Sequence, residues 1–282
     1  MKNTKSIKYI VLSCLAGWLF FMAFPMPSQA QYRRQRVEPN LTRDIFPSHE
    51  FTFCRVQYAA WRRGRFGMRG GSWATDFPDS DLNFSQRLSE LTAIEVNRDE
   101  DGKIEHAVVR LTDPALFNYP FIYMLEVAGL SFTEQEIKHL RSYLLRGGFL
   151  LVDDFWGMRA WQNFAYEIGR VLPPDEYPIV ELPTDHPIFH IVFKIDEVPQ
   201  IPGIGMWFRT GSTTEVWDEP DPGVHFRGIF DKQGRLMVII NHNSDLGDGW
   251  EEEAVNPVYF EEFSARKAYP LGINIVVYAM TH

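Results

Sequence analysis

Cysteine is almost missing from this chain: Cys14 and Cys54 are the two in 282 residues, and Cys14 lies in an N-terminal stretch that reads as a removable leader. With Cys54 alone no internal disulfide can form, so the fold must stand on its core. Positive charge is in deficit as well, with 28 Lys and Arg against 37 Asp and Glu and a net charge of -9. That balance argues against nucleic acid or an anionic membrane surface as partner. Several catalytic signatures are also absent. There is no Gly-x-Ser-x-Gly elbow, no phosphate-binding Walker loop, no Gly-x-Gly-x-x-Gly after a strand and no Cys-x-x-Cys. Nucleotide chemistry therefore has no motif to rest on, and a zinc site has no cysteine pair to build on. What is abundant is aromatic surface, 15% of residues, which supplies large buried area and stacking faces for flat ligands.

Long apolar runs are confined to the start. Lys2, Lys5 and Lys8 precede an apolar stretch from Tyr9 to Phe24, and Ser28-Gln29-Ala30 places small residues where a signal peptidase reads them. Residues 1–30 are therefore expected to be a secretory signal peptide cut after Ala30. An uncleaved anchor is the competing reading, but the run is short for a span and Pro25 and Pro27 follow it. Cleavage leaves 25 minus 37, a net charge of -12, on 282 minus 30, or 252, residues. The mature chain is expected to be periplasmic or extracellular, without a membrane span. Residues 31–49, with Arg33, Arg34, Arg36 and Arg43, read as an N-terminal arm.

Residues 50–282 read as a single α/β domain. Phe51 to Tyr58 alternates as a first strand, followed by a glycine-rich loop whose Gly64 to Gly71 alternate with arginine. Leu82 to Leu91 is expected to be helical, capped by Ser80 or Asp81. Ala93 to Val96 reads as a strand, Asp101-Gly102 as a turn, His106 to Leu111 as a hairpin strand and Phe121 to Leu125 as a buried strand. Thr133-Glu-Gln-Glu136 is a capping box opening a helix that Gly147 ends. Phe149 to Val152 is a buried strand, Trp161 to Val171 a helix, Leu236 to Ile240 a strand, and Pro270 opens a last helix. Strands alternating with helices predict a three-layer sandwich around a mostly parallel sheet.

In such sheets ligands sit outside the carboxyl ends of the strands. Asp153-Asp154, the loop WATDFPDSDLN and the segment Asn241 to Trp250 all follow predicted strands, so they are expected to converge on one rim. Asp153 and Asp154 could act as an acid and base pair or as ligands of a hard cation, or they could only cap the strand and its loop. Asn241, Asn243, Asp245 and Glu252 have the spacing of a calcium loop, but Leu246 stands where that loop needs glycine. Asp185-His186-Pro187 offers either a base beside a carboxylate or a turn. Cys54, inside a strand, reads as an inert core thiol.

Taken together, Tyr58 with GGSWATDFP, then LRSYLLRGGFLLVDDFWG, TDHPIF, NHNSDLGDGWE and AYPLGINIVVYAMTH resemble an uncharacterised bacterial domain family of unknown function. That family is similar to class I glutamine amidotransferase-like domains, which are flavodoxin-like. The resemblance covers about residues 50–282. It implies the fold and a ligand edge at which Trp73, Asp76, Asp153, Asp154, His186, Asn241, Asp245 and Trp250 are motif positions, but no reaction. The amidotransferases' cysteine at an elbow is lacking here. The expectation is a domain that binds a small polar ligand, carbohydrate among the classes it admits, or a cell-envelope protein, with Trp73, Trp156 and Trp250 lining the rim. The alternative is a hydrolase of a glycan or peptide-like substrate using Asp153 or Asp154 with His186, with or without a divalent cation. A scaffold role is the third reading. No cofactor is expected.

Overall fold

The computed structural model describes residues 50–59 and 72–282. The expected leader, the expected arm and the glycines of 64–71 lie outside the described residues. Among the described residues seven strands form one sheet: β1 (Phe53–Val56), β2 (His106–Val109), β3 (Phe121–Leu125), β4 (Phe149–Asp153), β5 (Ile179–Glu181), β6 (His225–Phe230) and β7 (Leu236–His242), in the order β2-β1-β3-β4-β7-β6-β5. The first five in that order are parallel, and β6 and β5 add an antiparallel edge. The fold is thus mixed α/β with a mostly parallel sheet.

Alternate residues of the central strands feed two cores. Phe53, Tyr123, Leu151 and Ile239 face α1 (Asp79–Leu91) and α7 (Tyr269–Thr281), which contribute Phe84, Leu88, Ile273 and Val276. Cys54, Met124, Val152 and Ile240 face α2 (Glu134–Leu145) and α3 (Gly157–Val171), which contribute Ile137, Leu140, Phe164 and Ile168. The short helices α4 (Ile204–Thr210), α5 (Leu246–Glu251) and α6 (Pro257–Tyr259) lie between α3 and α7 in the chain. Burial on both faces is why β3 and β4 read as unbroken apolar runs. Each such side chain contributes about 1.5–3 kcal/mol when fully buried. Among the described residues no helix is long and apolar enough to cross a membrane.

The capping box forms as its residues predict. Thr133 Oγ1 accepts from Glu136 N at 3.3 Å, and the Glu136 carboxylate accepts from Thr133 N at 2.8 Å. Gly147, at φ 113°, follows the helix in a conformation that favours glycine.

Three expectations need correction, and two strands were not expected. Residues 93–96 are not a strand; Val96 makes one isolated bridge to Phe51. His106 to Val109 is not a hairpin strand but pairs in parallel with β1, because the reversal closes earlier, at the Arg98–Ile104 bridge around Gly102. α1 begins at Asp79, and Asp81 pairs with Arg55 instead of capping. The antiparallel strands β5 and β6 went unforeseen, since their alternation is interrupted by charged and half-exposed residues.

Candidate functional site

Four adjacent strands are each followed by a carboxylate of this edge: Glu126, Asp154 and Asp245 come within three residues of the ends of β3, β4 and β7, and Asp76 comes twenty residues after β1. The three rim segments expected to converge therefore do so. Each segment turns sharply at the edge, and Asp76, Glu126, Asp154 and Asn243 all have positive φ, between 48° and 60°. Asp and Asn tolerate that region better than most residues.

Asp153 and Asp154 divide the work. Asp153 Oδ1 accepts from Asn241 Nδ2 at 2.7 Å, while its Oδ2 accepts from Tyr123 Oη at 2.8 Å, Leu246 N at 2.9 Å and Gly247 N at 3.1 Å. Four donors on one fully buried carboxylate make Asp153 a pin between β4 and the start of α5 (Leu246–Glu251). Burial raises its pKa, and the same donors oppose the rise by favouring the anion. Asp154 instead turns into the rim, where its Oδ1 accepts from Trp156 Nε1 at 3.0 Å. Its pKa stands well above the usual carboxylate range, through burial first and then the charges of Glu126, Asp76 and Asp153.

Asp76 and Asp245 are perturbed in the same direction. Burial comes first for both, followed by Asp248 and Glu251 around Asp76 and by Asp154 and Asp248 around Asp245. Asp248, at the next turn of α5, is pushed up to about 7 by burial. Asp76, Asp154 and Asp245 are each nearly enclosed, and each offers an oxygen within 4.8 Å of the others'. Two unit charges at that separation repel by about 3 kcal/mol at an effective dielectric of about 20. Asp245 also caps α5, its Oδ1 accepting from Asp248 N at 2.7 Å.

Gly247 makes this approach possible. A Cβ there would stand 2.4 Å from Asp76 Oδ2 and 3.0 Å from Tyr123 Oη. The loop bearing Asp76 is anchored by Arg55, a fully buried guanidinium in β1. Arg55 binds Asp81 through Nε at 3.1 Å and through Nη2, donates to Ser80 Oγ at 2.7 Å, and donates to the carbonyls of Trp73 and Thr75.

The other residues picked from the sequence fall elsewhere. His186 is held away from the rim: its ring lies 6.0 Å from that of Phe230 and 5.5 Å from that of Tyr278. Phe230 pairs with Leu236, the first residue of β7, whereas the carboxylates follow the last. At about 3.3 Å per residue, seven residues of β7 put about 20 Å between the two edges. His186 accepts from Ile188 N at 3.3 Å and opens a 3-10 turn, so the turn reading of Asp185-His186-Pro187 holds. His190 stands at a zinc-like four-residue step from it, yet its Nε2 meets the carbonyl of Thr184 at 2.8 Å. Pairing Asp153 or Asp154 with His186 for hydrolysis is thereby overturned.

Trp250 is a core residue, not a rim residue. It is fully buried against Phe84, at 4.6 Å between ring centres, and against Phe53 and Tyr123. Trp73 and Trp156 are half-buried at the rim. The calcium-loop reading also falls. Asn243 Oδ1 accepts from Gly157 N at 2.8 Å and its Nδ2 donates to the carbonyls of Asp221 and Gly223, while Asn241 is turned to Asp153. α5 then occupies what would be the middle of that loop, before Glu252 is reached. Of the four, Asp245 alone joins the carboxylate cluster. Cys54 is fully enclosed, with its thiol pKa raised well above normal by burial, as an inert core thiol requires. Sequence reasoning missed Glu126, Glu251 and Arg55, and it took Asp248 and Gly247 only as part of the segment Asn241 to Trp250. The one local hint was a charged residue, Arg55, inside a strand otherwise apolar and buried.

Residues 52–280 match the family described as Domain of unknown function (DUF4159). That span is most of the chain, and the chain belongs to this family. No curated protein matches it.

Proposed function

We propose that this family member is an exported binding domain that takes a small, positively charged polar ligand at the carboxyl edge of its sheet. The observation that supports it best is the convergence of Asp76, Asp154 and Asp245 from three strand ends, with Glu126 acting on Asp154. The basic group that acts on Asp76 is Arg55, and its guanidinium is tied to Asp81. A rim of this sign disfavours nucleotides and other anions, and it attracts cations. The half-buried Trp73 and Trp156 would give an organic ligand stacking faces.

The strand order supports a flavodoxin-like sheet, since β2-β1-β3-β4 followed by β7 is the doubly wound order with its switch point at β1 and β3. The amidotransferase likeness is carried as part of this proposal, and so are the leader and export. Cys54, buried in β1, leaves glutamine hydrolysis without a nucleophile. The hydrolase alternative has lost the histidine it named.

A thermal-shift panel tests the reading with spermidine, an amino sugar, divalent cations, neutral sugars and nucleotides. A ligand at about 100 times its Kd stabilises the folded state by about 2.7 kcal/mol, a shift of several degrees. Shifts from the cationic probes are expected. Shifts from nucleotides or neutral sugars alone would overturn the proposal.

A further inference from the structure

We propose that Asp76, Asp154 and Asp245 form a binding site for one hard divalent cation. This rests on the reading of the rim as a site for positive charge and names the class of ligand. Three observations on separate footings support it. The first is geometric: all three residues present oxygens within 4.8 Å of one another. Oxygens bound to one ion at about 2.0–2.6 Å cannot stand more than about 5.2 Å apart, so the cluster needs little rearrangement to close on an ion.

The second is an unmet demand. Asp76 Oδ2 is fully buried and has no hydrogen-bond partner. Buried polar atoms are nearly always paired, so an orphaned carboxylate oxygen calls for a partner. It points to the cluster, because Asp76 Oδ2 and Asp245 Oδ1 both lie within 3.4 Å of the place a Cβ on Gly247 would take. Glycine at 247 leaves that space open.

The third is orientation. Trp156 Nε1 holds Asp154 Oδ1, and Asp248 N holds Asp245 Oδ1, so donors outside the triad fix two of the carboxylates. Outer partners of this kind aim metal ligands. The donor set is all carboxylate oxygen, which suits calcium, magnesium or manganese and not the softer metals. A second group, Asp76 with Asp248 and Glu251, shares one ligand, but Asp248 and Glu251 are only half-buried.

The test is calorimetric titration of the EDTA-treated protein with calcium, magnesium and manganese chlorides, repeated with Asp154→Asn, Asp245→Asn and Asp248→Asn. Asn keeps the left-handed backbone at 154 and the helix cap at 245. Melting in EDTA verifies that each variant is folded. One ion per chain is expected, with binding weakened about tenfold or more in Asp154→Asn and Asp245→Asn and within about threefold of the parent in Asp248→Asn. Three results overturn the proposal: no ion binding to the folded parent, parental binding in Asp154→Asn, or loss in Asp248→Asn with retention in Asp154→Asn. If spermidine stabilises the parent while no metal binds, the cation site falls and the broader reading stands. If neither binds, both fall.

Discussion

Replacing Arg55 by Met keeps most of the side-chain volume and removes the charge, which makes it the sharpest probe of how the rim is held. Arg55 and Asp81 are both fully buried, joined by two guanidinium nitrogens, and the same guanidinium satisfies Ser80 Oγ and the carbonyls of Trp73 and Thr75. Removing one partner of a buried pair costs about 3–5 kcal/mol, because the other charge is left uncompensated. Trp73 and Thr75 are only half-buried, so water can replace the guanidinium at their carbonyls and these add little. The expected loss is therefore about 4 kcal/mol of a total of about 5–15 kcal/mol. With a urea slope of about 2–3 kcal/mol per molar, the midpoint should fall by about 1.5 M. Asp81→Asn should cost less, and the double variant should recover part of the loss, giving a coupling energy of at least about 1 kcal/mol. A loss below about 1 kcal/mol in Arg55→Met, or strict additivity of the two changes, would refute the argument that this pair anchors the loop carrying Asp76.

The two neighbouring aspartates should respond oppositely to mutation in metal-free buffer. Asp154→Asn relieves repulsion and should raise the melting temperature, whereas Asp153→Ala strands four donors and should cost about 3 kcal/mol or more, both read by thermal unfolding in EDTA. Gly247→Ala should destabilise by about 1–3 kcal/mol in urea unfolding, since its Cβ would overlap Asp76 Oδ2 and press on Tyr123 Oη. His242, at the end of β7, has its pKa lowered from 6.5 to about 4 by burial, against the carbonyl of Gly157 that favours its charged form. The unfolded chain takes up this proton first, so stability from this group is intact above pH 6.5 and falls as pH drops towards 4, by about 3 kcal/mol in all. The buried carboxylates titrate with the opposite sign, so the measurement is the difference in pH profile between parent and His242→Gln. Equal slopes below pH 6.5 would contradict it.

Much of the framework was legible in the chain because its signals are local. The apolar runs of β3 and β4, the Thr133 capping box, the stop at Gly147 and the proline that opens α7 each depend on neighbours a few residues away. Even the rim was legible in outline, since polar segments following apolar runs mark strand ends. The illegible parts depended on partners far along the chain. β6 is a strand because β7 pairs with it, not because His225 to Phe230 alternates cleanly. Trp250 looked like a rim aromatic from its glycine-rich neighbours, but α5 turns it onto Phe53 and Phe84. His186 carried a plausible catalytic neighbour, Asp185, and the antiparallel return of β6 leaves it beside the wrong edge.

By itself, then, the amino-acid order determined the central apolar strands and the helices that follow β3 and β4, and that acidic residues follow the parallel strands. Only the tertiary structure decided that Asp153 turns inward to pin α5 while Asp154, one residue on, turns to meet Asp76 and Asp245. The reason is physical. Propensity and periodicity act over a turn or a strand, whereas desolvation and Coulomb repulsion depend on which distant groups are enclosed together. Asp76 and Asp245 are far apart in the chain, and packing around Gly247 is what makes them neighbours.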